Sequence, residues 1–333
     1  MNNRIVVLHQ QINEDASPDE QDVLLQARCI GHVLEKKGWS VNIVAADHSL
    51  NFMDLIKKYN PGLVFNLVET FDNSGLKSSL IPLLLNASGF SCTGNSSQAI
   101  YVTSDKMLTK NILNIYGLPT EKGYITPVPR LMDKGVYIFK PRSEDASVCI
   151  SDDSIRNVKN FMQAEEWLES LERNFKIPFM CEKFIWGREF NVSVIGLNGK
   201  PRVFKPAEIV FTGNDNPYRI VDYASKWDES SLRYQNSIRT FSFTPEDDGL
   251  IQSLTELTEM CWYVFKLSGY ARVDFRVDEN KNPWILEVNA NPCSSPDSGL
   301  VAAAGNEGIS YEDLIKNILN EATHENQGCH SSF

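Results

Sequence analysis

The sequence predicts an α/β protein with a parallel sheet at its N-terminus, passing to α+β in its C-terminal half. Three observations carry that prediction. Over the first hundred residues, short continuous apolar runs alternate with helical patterns, as in a parallel sheet covered on both faces. Further on, strand-like runs at 179–184 and 189–196 follow each other with no helix between them. Hydrophobic residues make up 42% and charged residues 23% of the 333, an ordinary balance for a chain that buries a core.

Residues 4–8 form a β-branched first strand. Ser17-Pro18-Asp19-Glu20 then supplies a capping Ser, a Pro at the first helical position and a Glu three residues after the cap. Val23, Ala27, Ile30 and Leu34 follow at helical spacing, and Gly38 closes the helix. Residues 40–44 and 63–67 are buried-looking strands with a helix over 53–59 between them, and a helix over 80–88 ends at Gly89. Ser104 is placed as the cap of a helix over 105–116 that stops at Gly117. Strands follow at 136–140, 179–184 and 189–196, with a helix over 164–174 between the first two. Thr244-Pro245-Glu246 opens a helix reaching about Leu267. Two more strands and a helix over 311–321 complete the pattern, and the polar tail from Thr323 is expected to fray. The chain divides near residues 104 and 187, giving parts 1–104, 105–186 and 187–322 ahead of the tail 323–333.

Charge and composition exclude several classes. Thirty-two Lys and Arg against 43 Asp and Glu leave a net charge of −11, the wrong sign for a nucleic-acid binder. No apolar run approaches the ~18 residues of a membrane helix, and the N-terminal apolar stretch is too short for a signal peptide. The seven Cys include no C-x-x-C pair, and their odd number suits a reducing compartment. A cytoplasmic enzyme is expected, without nucleic-acid or membrane partners. There is no G-x-x-x-x-G-K-[ST], G-x-G-x-x-G, G-x-S-x-G or H-E-x-x-H, and the five His are scattered.

The strongest signal is a hairpin, residues 272–277 and 284–289, joined by the Asp-, Asn- and Pro-containing turn 278–283. Alternation puts Val273, Phe275, Val277, Trp284, Leu286 and Val288 on one face. The other face carries Arg272, Asp274 and Arg276 opposite Ile285, Glu287 and Asn289. In a symmetric register Asp274 faces Glu287 and Arg272 faces Asn289. Two carboxylates directly opposite, with Cβ atoms ~5 Å apart, repel each other. A hard divalent cation would compensate, and so would Arg272 or Arg276 on a merely solvated face.

Arg272-Val273-Asp274-Phe275, with Leu286-Glu287-Val288-Asn289 and Asn291-Pro292, resembles the metal-binding end of ATP-grasp enzymes, most of all the D-alanine–D-alanine ligase group. Further motifs fall in the same order along nearly the whole chain. These are Asp105-Lys106 with Thr109-Lys110, Lys140-Pro141, Glu182-Lys183-Phe184-Ile185 with Gly187 and Glu189, residues 222–226, and residues 308–312. The resemblance implies a three-domain ATP-grasp fold behind an N-terminal parallel-sheet domain. It implies ATP and two Mg²⁺, with Mn²⁺ as the alternative ion. Lys106 and Lys140 would contact phosphates, and Ser147 matches a phosphate-binding Ser. Glu182 would meet the adenine amino group, Lys183, Phe184 and Ile185 would line the hinge, and Glu189 would hold the ribose. Asp274, Glu287 and Asn289 would bind the metal ions. Arg272 and Lys226 would serve catalysis at the transferred phosphoryl group and the oxyanion. Each role has a plainer rival: a solvated helix face for Lys106 and Lys110, a strand-end ion pair for Glu182 and Lys183, a lysine lying over Trp227 for Lys226.

The implied reaction is ligation of a carboxylate to an amine through an acyl phosphate, with amino acids or small peptides as substrates and a homodimer as the expected assembly. The substrate end departs from the family pattern. Asp22 stands where the family has a Glu for the first amino acid's ammonium, and Trp227 where it has Tyr. Ala146 replaces a Ser in the loop 142–147, and Cys293 replaces a Gly at the oxyanion site. Nothing near Cys293 in sequence would lower its pKa. Asp297-Ser298-Gly299 keeps the carboxylate-binding Ser but has Gly where the family has Leu. The lost side chain and the added charge of Asp297 predict an acceptor larger than D-Ala with a cationic or polar group. The rival readings are a D-alanine–D-alanine ligase with a divergent pocket and a non-catalytic ATP-binding regulator.

Overall fold

The structure, a computed structural model, describes residues 3–13, 16–144 and 147–329. Strands β1 (Arg4–Gln10), β2 (Ser40–Ala46) and β3 (Leu63–Asn66) alternate with helices α1 (Pro18–Lys36) and α2 (Asn51–Tyr59). They form a parallel sheet in the order β2-β1-β3, as the alternation predicts. Ser17 and Glu20 close the expected capping box on α1. One sheet face, including Ile5, Val7, Leu63 and Phe65, packs on α1 residues such as Ile30. The other, including Val6, Leu8 and Val64, packs on Phe52 and Ile56 of α2 and on Ile81 and Leu85 of α3 (Leu80–Ala87).

The next helix differs from expectation. Helix α4 (Ser97–Ser104) precedes it, and the cap of α5 (Lys106–Ile115) is Asp105 rather than Ser104. Asp105 accepts from the backbone N–H of Met107 at 3.0 Å and Leu108 at 3.2 Å, because Ser104 is spent as the last residue of α4 while Asp105 has the extended backbone of a cap. A four-stranded antiparallel sheet follows, ordered β4 (Gly123–Tyr124), β7 (Phe179–Lys183), β5 (Gly135–Pro141), β6 (Ile155–Val158), with α6 (Phe161–Phe175) against it.

The third sheet has six strands. β11 (Ser237–Thr240), β10 (Ala207–Phe211), β8 (Arg188–Leu197), β12 (Tyr270–Val277) and β13 (Pro283–Asn289) run in that order, with β9 (Lys200–Val203) also on β8. Short helices α7 (Tyr223–Trp227) and α8 (Leu232–Gln235) precede β11, and α9 (Asp248–Val264) backs the sheet. Helices α10 (Gly299–Asn306) and α11 (Tyr311–Cys329) return to the N-terminal sheet, where Leu300, Leu314 and Ile318 join its core. Thr323, where the frayed tail was expected to begin, lies inside α11.

Asn95 ties the first sheet's connections to the third. Its side-chain amide donates to the carbonyls of Tyr270 at 2.8 Å and Ala290 at 2.6 Å, and its oxygen accepts from Ser268 N at 2.7 Å. Gly187, at φ +140°, lies so close to β12 that a Cβ there would meet the Val277 carbonyl oxygen at 1.9 Å. Only glycine fits that approach.

Candidate nucleotide and ligation site

The hairpin pairs as its alternation predicts at one end: Arg272 faces Asn289 and Asp274 faces Glu287. A β-bulge after Asp274 then shifts the register, so Phe275 pairs with Ile285. Leu286 is the extra residue. The expected faces are therefore exchanged beyond it: Ile285 is buried in the core with Val273, Phe275 and Val288, and Leu286 lines a cavity of about 460 Å³.

The acidic pair is compensated by protein groups. Arg272 forks onto Asp274, Nε to Oδ1 at 2.7 Å and Nη2 to Oδ2 at 2.8 Å. Asn191 donates to Asp274 Oδ1 at 2.8 Å, and Asn289 to Asp274 Oδ2 at 3.1 Å and Glu287 Oε1 at 3.3 Å. Lys106 lies 3.5 Å from Glu287. Burial opposes the charge on Glu287, but Lys106, Lys140 and Arg272 outweigh it and hold its pKa at about 2. Burial pushes Asp274 upward against the pull of Arg272. Among the described residues no cluster of three His, Cys, Asp or Glu could hold a metal ion. Two carboxylates and an amide oxygen nevertheless fit Mg²⁺, which takes few protein ligands and completes its shell with phosphates and water. The cationic fork on Asp274 shows that the pair requires positive charge.

The same cavity is lined by Lys140, Ser147, Glu182, Glu189, Arg272 and Asp274, together with the hinge Lys183, Phe184 and Ile185. Glu182, on β7, forms ion pairs with Lys140 at 2.6 Å and with Lys110, all three side chains being at most 7% exposed. Burial raises the cost of its charge, yet the two ammonium groups hold its pKa below the ordinary value. Glu189 is pushed up by burial and pairs with Arg276 at 3.2 Å. Arg276 also donates to the hinge carbonyl of Ile185 at 3.1 Å, so it fixes the hinge to β12. Phe184, Trp186 and Tyr218 form an aromatic wall, with ring centres 4.9 Å apart for the first two. Ser147, at φ +60°, donates to the Val221 carbonyl at 2.8 Å. Ala146 lies outside the described residues.

Asp105 positions Lys106 beside this cavity. Arg142 clamps its carboxylate with Nε at 2.9 Å and Nη2 at 2.6 Å, and Lys106 Nζ donates to the Glu144 carbonyl at 2.6 Å. Burial opposes the Asp105 charge, but Arg142 and the α5 N–H groups win and lower its pKa from an ordinary 3.8. A depressed carboxylate stabilises the fold above its ordinary pKa and loses that contribution as pH falls through the folded value. Asp105→Asn keeps the cap and removes the charge. It should cost about 1–2 kcal/mol near neutral pH and flatten the acid limb of stability, read by urea unfolding at about pH 7 and 3. Parallel acid limbs in the two proteins would refute this.

At the substrate end, Lys226 lies on α7 with its ammonium 5.3 Å from the Trp227 ring centre, the plainer of its two readings, and both line the cavity. Asp22 accepts from Cys293 Sγ at 3.0 Å and from Gln26 Nε2 at 3.1 Å. Burial, reinforced by Glu69 and Asp22, pushes the Cys293 thiol well up, so it is a donor here and not a nucleophile. Ser298 caps α10, accepting from Val301 N at 3.4 Å, and Asp297 accepts from Ser295 Oγ at 2.8 Å. A second cavity of about 440 Å³ adjoins the first through Asp22, Lys226, Trp227, Arg272 and Cys293, and reaches Asn289 and Glu69.

Sequence reasoning brings nearly all its candidates to these two cavities; Lys106 touches them through Glu287. It gave no role to two charged groups, Lys110 and Arg239, or to the amide of Asn191. Lys110 resembles a solvated helix residue, Asn191 is uncharged on a central strand, and Arg239 sits on the short edge strand β11. Asn191 and Arg239 carry no local sequence signal, and Lys110 carries only the motif it shares with Thr109.

Residues 137–320 match the family described as D-ala D-ala ligase C-terminus. A D-alanine–D-alanine ligase of Bordetella pertussis is 30% identical over 242 residues, covering 70% of this chain and 71% of that one. One from Carboxydothermus hydrogenoformans is 28% identical over 318 residues, covering 90% and 93%. The solved D-alanine–D-alanine ligase of Bacillus anthracis complexed with ATP superposes with a TM-score of 0.72 at 19% identity, covering 97% of this chain and 99% of that one.

Proposed function

Because this chain belongs to the D-alanine–D-alanine ligase family and is an ATP-dependent, ADP-forming ligase of ATP-grasp fold, we propose that it joins an amino-acid carboxylate to the amine of a second amino acid or small peptide. The observation that carries this is the gathering of Glu182, Lys140, Asp274, Glu287 and Arg272 along one cavity. Such a set suits phosphoryl transfer, where positioning and charge stabilisation do most of the work.

In this reading the aromatic wall and the hinge from Lys183 to Ile185 hold the adenine, with Glu182 at its amino group and Glu189 at the ribose. Lys140, Lys106 and Ser147 hold the phosphates. Asp274, Glu287 and Asn289 would hold two Mg²⁺, which would supply positive charge against the phosphates. The donor's carboxylate is phosphorylated, its ammonium held by Asp22. That first step releases ADP; the acceptor's neutral amine then attacks the acyl phosphate carbon, Arg272 and Lys226 meet the oxyanion, and the C–O bond breaks to release phosphate, which carries away the amine's proton. Trp227, Cys293, Asp297 and Ser298 shape the substrate end. Gly299 leaves room for an acceptor larger than D-Ala.

We further propose the three-part division near residues 104 and 187, and a cytoplasmic location. Six cysteines among the described residues are free thiols, which supports a reducing compartment, and no described helix is long and apolar enough to cross a membrane. The test is ADP release with Mg²⁺ across a panel of amino acids and dipeptides of both configurations, with mass identification of product. An ATP-dependent amide product is expected. No nucleotide turnover with any pair would overturn the ligase reading, and D-Ala as the sole substrate at both positions would remove the larger acceptor.

A further inference from the structure

The acceptor end of the larger cavity holds a guanidinium that the reaction above does not use. Arg239 lies on β11 opposite Ile209 of β10, and both line the cavity. Among the described residues its guanidinium makes one hydrogen bond, from Nη1 to the Asp297 backbone carbonyl at 3.4 Å, near the limit for such a bond. No carboxylate among the described residues pairs with it. The Asp297 side chain attracts it only at longer range, being engaged by Ser295. Arg272, the neighbouring guanidinium, is already forked onto Asp274.

Gly299 keeps the space beside Arg239 open. A Cβ at position 299 would stand 3.8 Å from Arg239 Nη2, so a branched side chain there would cover the guanidinium. The substitution that enlarges the pocket is therefore the one that uncovers a cation. Asp297 alone suggested a cationic acceptor, and Arg239 reverses that sign. Arg239 is exposed at the cavity's edge, and crowding by neighbouring atoms and repulsion from Arg272 weaken its proton binding, which a bound anion would strengthen.

We propose that Arg239 binds a carboxylate of the acceptor beyond the one assigned to Ser298, so that the preferred acceptor is acidic. An arginine fork and a carboxylate match in geometry, and two parallel N–H···O bonds hold the anion. The carboxylate comes from an acidic side chain or from the C-terminus of a short peptide. The proposal rests on the ligase reading for the word acceptor, but not for the binding itself.

Two matched pairs, each in both configurations, separate the sources: glutamate against glutamine, and alanyl-alanine against its C-terminal amide. Wild-type protein should favour the carboxylate member of one pair by roughly 10- to 100-fold in kcat/KM. Arg239→Gln should reduce that preference to within about threefold and leave the amide member's kcat/KM little changed, while Arg239→Lys restores part of it. Calorimetric titration of the same compounds, with Mg²⁺ and a non-hydrolysable ATP analogue, reads binding without turnover. If nothing turns over but the carboxylate preference binds and vanishes in Arg239→Gln, the site stands and the ligase reading falls. If turnover occurs but wild type distinguishes neither pair, or Arg239→Gln weakens both members alike, the proposal is overturned and the ligase reading stands.

Discussion

Glu287→Gln lowers the rate of ADP formation by roughly a thousandfold, equivalent to about 4 kcal/mol of transition-state stabilisation. The amide keeps the side chain's volume and one oxygen, so packing around β13 is preserved and the change is electrostatic. Glu287 is the more firmly ionised of the two opposed carboxylates, its pKa held at about 2 by Lys106, Lys140 and Arg272 despite burial. Losing its charge leaves Asp274 as the sole anionic donor, and Asp274 is already engaged by Arg272. Steady-state ADP release with saturating Mg²⁺ measures the effect, with circular dichroism to establish folding. A variant within threefold of wild type would remove Glu287 from the metal set.

Glu182→Leu acts on stability first. Lys110 and Lys140 share this one carboxylate in a buried cluster, and Lys110 also donates to Thr120 Oγ1 at 2.9 Å. Removing the shared anion takes from both ammonium groups their direct ion-pair partner and leaves only the longer-range pull of Glu287 on Lys140 and of Glu121 on Lys110, at a cost of about 3–5 kcal/mol by urea unfolding near neutral pH. The sign of the pH dependence follows. Burial already holds the Lys110 pKa below its ordinary value, and without the opposing Glu182 it falls further, so over a wider interval the unfolded chain binds more protons than the folded variant. The variant should therefore regain stability relative to wild type as pH rises from about 7 to 10. A loss under about 1 kcal/mol, or no such recovery, would show that the cluster is not electrostatically closed around Glu182.

What the sequence made legible follows from the range of each interaction. The capping box of α1, the parallel first sheet and the opposition of Asp274 to Glu287 depend on neighbours two to four residues apart, or on simple alternation. Asp105 is a clear cap in retrospect, but Ser104 beside it has the same local chemistry. Lys110 is different in kind: its burial depends on Glu182, on a strand 72 positions later, and on the four-stranded sheet that carries it. Arg239 gains its meaning from Gly299 and Asp297, which no periodicity connects to it. The bulge in the hairpin is a single inserted residue in an apolar run, where any of Trp284, Ile285 and Leu286 suits either face.

That bulge makes the strand a phase shifter. On the turn side of Leu286 the odd-numbered Ile285 faces the core, and on the carboxylate side the even-numbered Val288 does. The two halves of β13 thus answer to different parity rules, and neither dictates the other. The turn at 278–282 can drift in sequence without disturbing the spacing of Asp274 and Glu287. Deleting Leu286 alone would bring the halves into step as one regular strand, with Ile285 and Val288 still facing the core, and would remove only the side chain that lines the cavity.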